Sequence, residues 1–275
     1  MNFKYLLLRT IRHFMPESLT RFLLKRRLII RPGLESSDPI AAVDRYMETL
    51  SRYGRTVQGK RVLIFGYGGR FAVGVELLKR GADHIVLCDH IASLDEERNK
   101  QLLPEFEEYL TLSGGHITPR PEFITLLHGD IRRLPLQKNI PPVDCVLSSS
   151  VYEHLDDVEE ITCGLAQLTN PGGFHLHFVD LRDHYFKYPF EMLKFSEKTW
   201  KLFLNPTSNL NRYRLYDYRR IFENSFQETR IEVLERDEAS FVVSQSHIRP
   251  EFLSGDPSVD SATLFHIFAS GPLEK

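Results

Sequence analysis

Gly66-Tyr67-Gly68-Gly69 directly follows the apolar run Arg61-Val-Leu-Ile-Phe65. Glycines there let a chain turn sharply and bring its backbone close to a ligand that side chains would exclude. Asp89 stands 23 residues after Gly66, at the end of a second apolar run, His84-Ile-Val-Leu-Cys88. A carboxylate in that place can accept both hydroxyls of a ribose; the competing reading is a cap for the segment that starts at Ile91. A third acid, Asp130, follows Leu127-His128-Gly129. It can accept from an exocyclic adenine amine while apolar neighbours sandwich the ring, or it can simply be an Asp turn after a strand. A glycine loop and two acids at strand ends describe a nucleoside pocket. They fit a diphosphate less well, because Phe71 stands where a dinucleotide fingerprint needs its third glycine, and no Gly-Lys-Ser/Thr follows the loop.

These residues need a frame that brings strand ends together. Continuous apolar runs at 61–65, 84–88, 123–127, 144–148 and 174–179 read as strands buried on both faces, with helices at Phe71–Arg80 and about Val158–Leu168 between them. Leu94–Leu112 reads as a polar helical stretch restarted at Pro104 and closed by Gly114-Gly115. A helix near Asp217–Asn224 and strands at Glu228–Glu235 and Ala262–Ser270 follow. The alternation predicts a doubly wound α/β fold: a Rossmann-like, seven-stranded, mostly parallel sheet with helices on both faces. The link containing Gly255-Asp256-Pro257 shows no clear helix, so the last strand is expected to run antiparallel, as a hairpin. In such a sheet a ligand sits at the carboxyl ends of the strands, where strand order reverses.

Composition narrows the function. The chain has 275 residues, 42% of them hydrophobic, with 35 basic against 37 acidic side chains. That balance argues against a dedicated nucleic-acid binder. Cys88, Cys145 and Cys163 lie in apolar segments and are too few for a disulfide framework, which fits a cytoplasmic protein with reduced thiols. Charge is uneven: the first 31 residues hold eight Lys or Arg against Glu17, a net +7 in a chain of net −2. Residues 1–38 therefore form a basic amphipathic arm, and 39–275 the domain proper. Phe3, Leu6, Leu7, Ile11 and Phe14, then Leu19, Phe22 and Leu23, recur at helical spacing, broken by charges that exclude a secretory signal. One reading packs these helices on the domain or a partner. A second makes the arm a surface helix attracted to anionic lipid, as a peripheral membrane contact, or to a phosphate-bearing substrate, and a transit peptide is a third.

Taken in order, Val62-Leu-Ile-Phe-Gly-Tyr-Gly-Gly69, Cys88-Asp89, His128-Gly-Asp130, Val143-Asp-Cys-Val-Leu-Ser-Ser-Ser-Val-Tyr-Glu-His-Leu155 and Leu168-Thr-Asn-Pro-Gly-Gly173 resemble the class I S-adenosylmethionine-dependent methyltransferases, over about residues 60 to 180. The resemblance implies that Gly66, Tyr67 and Gly68 surround the methionine part of the cofactor. It implies Asp89 with His90 at the ribose, Asp130 with Ile131 at the adenine, and Ser148 and Ser149 beside the sulfonium and the acceptor. Two positions depart from the family pattern. Ile64 stands where an acid is usual, and Arg70 replaces the usual third glycine of the loop. Another group must then satisfy the ammonium of the cofactor.

Methyl transfer is an in-line displacement, so alignment carries much of the rate, on the order of 7–11 kcal/mol. A hydroxyl or protonated amine acceptor also needs a base, for which Glu153, His154, Asp183 and His184 are candidates. The stretch of about 183–216 is the expected acceptor lid. It offers Tyr185 and Trp200 to stack on a ring or sugar, and Arg212 and Arg214 to bind carboxylate or phosphate; a packed helical cap is the plainer alternative. The acceptor class is a small molecule, such as a saccharide or a lipid-linked glycan. No His/Cys/carboxylate cluster has zinc spacing, and the Asn-Pro-Pro-Tyr motif of base-flipping relatives is replaced by Ser149-Ser-Val-Tyr152. Two alternatives remain: a nicotinamide-dependent reductase, which the missing Tyr-x-x-x-Lys pair opposes, and a non-catalytic cofactor-binding module, which Ile64 and Arg70 favour.

Overall fold

A computed structural model describes residues 3–16, 19, 34–90, 92–136, 140–183, 188–205 and 210–273. In chain order the main elements are α1 (Phe3–Phe14), α2 (Leu34–Ser37), α3 (Pro39–Arg52), β1 (Arg61–Phe65), α4 (Ala72–Lys79), β2 (His84–Asp89) and α5 (Glu96–Phe106). Then come β3 (Leu110–Ser113), β4 (His116–Pro119), β5 (Ile124–His128), β6 (Val143–Ser149), α6 (Val158–Gln167) and β7 (Thr169–Asp180). The chain ends with α7 (Leu215–Glu223), β8 (Phe226–Arg236), α8 (Glu238–Ser244) and β9 (Ala262–Pro272).

The apolar runs form one seven-stranded sheet in the order β5-β2-β1-β6-β7-β9-β8. All neighbours pair in parallel except β9, which is antiparallel to both β7 and β8. Strand alternation splits the core in two. Leu63 and Phe65 of β1 face a cluster with Val158, Ile161, Leu165 and Phe222, while Val62 and Ile64 face one with Val43, Tyr46 and Leu77. Strand order reverses between β1 and β6, and there the carboxyl ends of the strands open a crevice.

Three expectations are corrected. Leu110–Leu112 is not the end of a helix but the first strand of a small hairpin, and Pro104 lies inside α5. Gly114 and Gly115 take φ +58° and +85°, the geometry of a tight hairpin turn, and Leu110 and Ile117 are buried beneath it. The link between β8 and β9 contains α8, capped by the Asp237 carboxylate on the Ser240 N–H and pinned by buried Phe241. Finally, α1 does not pack through its apolar stripe. Phe3, Leu7, Ile11 and Phe14 are 50–75% exposed, while Tyr5, Arg9 and Arg12 are buried. Of the second expected helix of the arm, Leu19 is exposed, and Phe22 and Leu23 lie outside the described residues.

Between β6, β7 and α6 runs a buried polar chain. The Thr169 hydroxyl donates to the Leu165 carbonyl at 2.8 Å, so it accepts from His175 Nε2, also at 2.8 Å. His175 Nδ1 must then accept from His177 Nε2 at 3.2 Å, and His177 Nδ1 from the Ser148 hydroxyl at 2.7 Å. Every proton has one place, and both rings are neutral. Burial pushes His175 down to about 3 and His177 well below its ordinary range. Because only the unfolded chain takes up these protons, stability is full above the ordinary histidine pKa and falls as pH drops below it. The expected loss is about 1.4 kcal/mol per pH unit for each histidine, read as a lower urea midpoint at about pH 5 than at about pH 7.5. Equal midpoints would contradict this account.

Candidate active site

The loop after β1 is held from behind. Gly69 takes φ +76°, and a Cβ there would lie 2.0 Å from the Ser93 carbonyl oxygen, so the crossing segment before α5 admits only glycine. The Gly69 carbonyl accepts from the Asp95 N–H and the Asn99 amide, both at 3.0 Å. Gly68 is different: at φ +65° its Cβ position meets nothing within 4 Å. Its N–H donates to Asp89 Oδ2 at 3.1 Å. The open main chain thus lies beside the carboxylate at the tip of β2. Arg70 pairs with Asp95 at 3.3 Å and borders the same space.

Asp89 ties down the backbone on both sides of the strand tip. Its Oδ1 accepts from the Ala92 N–H at 2.9 Å, which closes a turn, while Oδ2 props the glycine loop. His90 beside it is exposed. Tyr67 stacks on Phe71, with ring centres 6.5 Å apart. Asp130, at the end of β5, is clamped by Arg132 through Nε at 2.8 Å and Nη2 at 2.7 Å. That hydrogen-bonded guanidinium holds its carboxyl down to about 2. The expected adenine acceptor is therefore an ion-paired carboxylate. Ile131 is buried in the core with Leu134 and Leu165.

The end of β6 obeys the period-two rule. Ser148 points into the histidine chain and takes no place at the crevice, whereas Ser149, Ser150 and Val151 border it. Ser149 Oγ accepts from Arg45 Nη2 at 2.7 Å, a contact that no motif announced. Ser150 has φ +56°, a strained conformation for a side-chain-bearing residue, and one that marks a position under constraint. Together with Ile64, Gly66, Tyr67, Gly68 and Glu35, these residues enclose about 150 Å³. That is below the range of about 300–1,000 Å³ for whole-ligand sites, and it suits one end of a ligand whose remainder lies over the strand tips.

The base candidates separate. Glu153 is buried: its Oε1 accepts from the Asp180 N–H at 3.3 Å and its carbonyl from the Asn211 N–H at 2.8 Å, so it braces β6, β7 and the lid instead of facing an acceptor. Asp183 is buried against Arg9 and accepts from the Tyr5 hydroxyl at 2.7 Å, which commits it to docking α1. His154 is partly exposed on the helical turn Tyr152–His154 that follows β6. His184 and Tyr185 lie outside the described residues.

Both lid arginines face inward, not toward an anionic substrate. Arg214 donates to the carbonyls of Asp260 and Ala262 at 3.1 and 3.0 Å, and burial lowers it to about 10. Arg212 donates to the carbonyls of Met192 and Phe195 and pairs with Glu197. Trp200 is also buried, its indole N–H donating to the Leu210 carbonyl at 3.3 Å, with Arg9 stacked on its ring. Around Trp200 and Arg212 the lid nevertheless leaves a cavity of about 560 Å³, lined also by Leu155, Asp156, Tyr213 and Phe252. Among the described residues no group of three or more His, Cys, Asp or Glu is arranged to hold a metal ion.

Residues 102–177 match a family model described as a methyltransferase domain. No curated protein sequence matches the chain. Among solved structures, the chain is similar to phosphoethanolamine N-methyltransferase 2 of Haemonchus contortus in complex with S-adenosyl-L-methionine. The TM-score is 0.51 at 13% identity, over 84% of this chain and 53% of that one, so the chain spans about half the length of that enzyme. It is also similar to geranyl diphosphate C-methyltransferase of Streptomyces coelicolor A3(2) in complex with Mg2+, geranyl-S-thiolodiphosphate and S-adenosyl-L-homocysteine. There the TM-score is 0.50 at 10% identity, over 83% and 76% of the two chains. These likenesses show the fold: the sheet is the Rossmann-like sheet of the methyltransferases. The matched segment runs from α5 through most of β7 and includes Asp130 and Ser149.

Proposed function

With a methyltransferase domain on this sheet, we propose that the protein transfers the methyl group of S-adenosylmethionine to a small polar acceptor of saccharide type, held in the lid cavity close to a membrane surface. One observation carries the proposal. A single chain segment borders both spaces: Ser149, Ser150 and Val151 line the small pocket at the glycine loop, and Leu155 and Asp156 line the lid cavity. The turn Tyr152–His154 joins them, so donor and acceptor would meet across a few residues of main chain.

The residues present fit the cofactor. Asp89 at the tip of β2 offers acceptors for a ribose, and Gly68 leaves bare backbone beside it. The 150 Å³ pocket takes an amino-acid end. When bound, the cofactor supplies an electrophilic methyl group. The chain supplies position: buried Glu153 and Asn211 lock the segment after β6 to the lid, through the Asn211 N–H on the Glu153 carbonyl and the Asn211 amide on the Tyr152 and Leu155 carbonyls at 2.8 and 3.1 Å. Fixing the two sites in one frame is the main lever for such a reaction. Tyr213 and Phe252 give the lid cavity apolar faces, and Asp156, Asp217 and Glu251 give it acceptors, a combination suited to a sugar. Calorimetry with S-adenosylmethionine against NADPH, followed by detection of S-adenosylhomocysteine over a saccharide and glycolipid panel, tests this. Binding of NADPH alone would overturn it in favour of a reductase, and binding without turnover on any acceptor would favour a non-catalytic module.

The membrane part rests on α1. Its face of Phe3, Leu7, Ile11 and Phe14 points to solvent, flanked by exposed Lys4, and Leu202 and Phe203 on the helical turn Trp200–Leu204 against α1 are exposed as well. No described helix is long and apolar enough to cross a membrane. An apolar stripe on a basic arm is the pattern of a helix that lies in the interface. The double variant Leu7→Glu, Ile11→Glu is expected to abolish co-sedimentation with phosphatidylserine vesicles at unchanged melting temperature. Co-sedimentation that persists, or that is equal on neutral vesicles, would remove the membrane from the proposal.

A further inference from the structure

The acid absent from β1 has a counterpart across the pocket. Ile64 brings only hydrocarbon to the 150 Å³ space, but Glu35 of α2 borders the same space as Gly66, Gly68 and Ser149. Glu35 Oε1 accepts from the Tyr46 hydroxyl at 2.5 Å, its one hydrogen bond among the described residues. Tyr46 is fully buried on α3, and its ring packs on Phe178 of β7 at 5.6 Å, so the donor that orients the carboxylate is anchored in the core. Arg45, the preceding residue, lies 3.9 Å over the same Phe178 ring and commits Nη2 to Ser149. This carboxylate, beside a pocket sized for an amino-acid end, forms no ion pair among the described residues, and the Arg45 guanidinium that pulls on it commits Nη2 to Ser149.

We propose that Glu35 binds the α-ammonium of S-adenosylmethionine in place of the missing strand acid, so that α2 seated on α3 completes the cofactor site. The inference rests on the cofactor assigned above. Electrostatics support it. Burial pushes the Glu35 carboxyl up to about 7, against the opposing pull of the Tyr46 hydroxyl and of Arg45. The groups facing it are Tyr46 and Arg45 from α3, and Tyr67 and Arg70 from the glycine loop. A carboxylate kept in such a place is destabilised until a cation arrives. The ionised form is the binding form, so cofactor affinity should weaken as pH falls through about 7.

Titration calorimetry with S-adenosylhomocysteine and with 5′-methylthioadenosine, which lacks the amino-acid end, tests the assignment. Glu35→Gln is expected to weaken S-adenosylhomocysteine about 10- to 100-fold and to leave 5′-methylthioadenosine unchanged. Tyr46→Phe, which keeps the carboxylate but removes its donor, should show the same selectivity to a smaller degree. Wild-type affinity for S-adenosylhomocysteine should fall from about pH 8 to about pH 6, and the Glu35→Gln profile should be flat. Equal loss of both ligands in Glu35→Gln, or loss of neither, overturns the role of Glu35 while the cofactor assignment stands. A wild-type protein that binds neither nucleoside overturns both.

Discussion

Replacing Arg9 with methionine is expected to lower the unfolding free energy by about 3–5 kcal/mol, because it strands a buried carboxylate. Arg9 and Asp183 are both fully buried and joined as an ion pair between α1 and the segment that follows β7. The Tyr5 hydroxyl and Arg9 Nε each donate to Asp183 Oδ2 at 2.7 Å, and Arg9 Nη1 donates to the Leu204 carbonyl at 3.2 Å. Trp200 covers the guanidinium at 4.8 Å from its ring centre. A buried pair loses more from one missing partner than from two, so adding Asp183→Leu to Arg9→Met should return part of the loss. Urea denaturation reads the effect if the chain unfolds as one unit. Hydrogen exchange over residues 3–14 reads it if α1 is released alone. A single variant within about 1 kcal/mol of wild type, with α1 still protected, would mean that the pair is not what seats this helix.

Asp89→Ala should produce the larger change in ligand affinity, roughly 100-fold or more for S-adenosylhomocysteine. The carboxylate holds the Gly68 and Ala92 N–H groups and is the proposed acceptor for the ribose, so its loss should untie the loop and remove charge-assisted hydrogen bonds together. Asp89→Asn keeps an acceptor and should fall between wild type and alanine. The loss should extend to 5′-methylthioadenosine, which distinguishes the ribose end from the ammonium end. Undiminished affinity in Asp89→Ala would place the nucleoside elsewhere on the sheet.

The central strands could be read from the chain because β1, β2, β6 and β7 are apolar runs, a local signal that burial on both faces produces. Gly68 and Asp89 could be read for the same reason: their spacing is set within one strand-loop-helix-strand unit. What escaped is what depends on distant partners. The 3.6-residue period of Phe3, Leu7, Ile11 and Phe14 marks an apolar face, and by itself that face looks like the buried one. The helix turns the other way because the buried carboxylate of Asp183 draws in Arg9, and no periodicity reports that. Arg212 and Arg214 illustrate the same limit, since a guanidinium fork suits a phosphate as well as a pair of main-chain carbonyls, and here it braces carbonyls. Ser148 and Ser149 could have been separated, because alternation allows only one of two neighbours in a strand to face the crevice. Glu35 carried no signal except its absence from β1.

The pairing of α1 with the lid also sets an order of events during synthesis. Arg9 meets Asp183 across 174 positions. At ribosomal rates of about 5–20 residues per second, the helix waits about 10–35 s for its counter-ion to be made. Through that interval β8 and β9 are still unmade, and the stripe of Phe3, Leu7, Ile11 and Phe14 is already complete. On the proposed reading, a nascent chain therefore offers a bilayer its hydrophobic handhold long before it can offer a substrate a pocket.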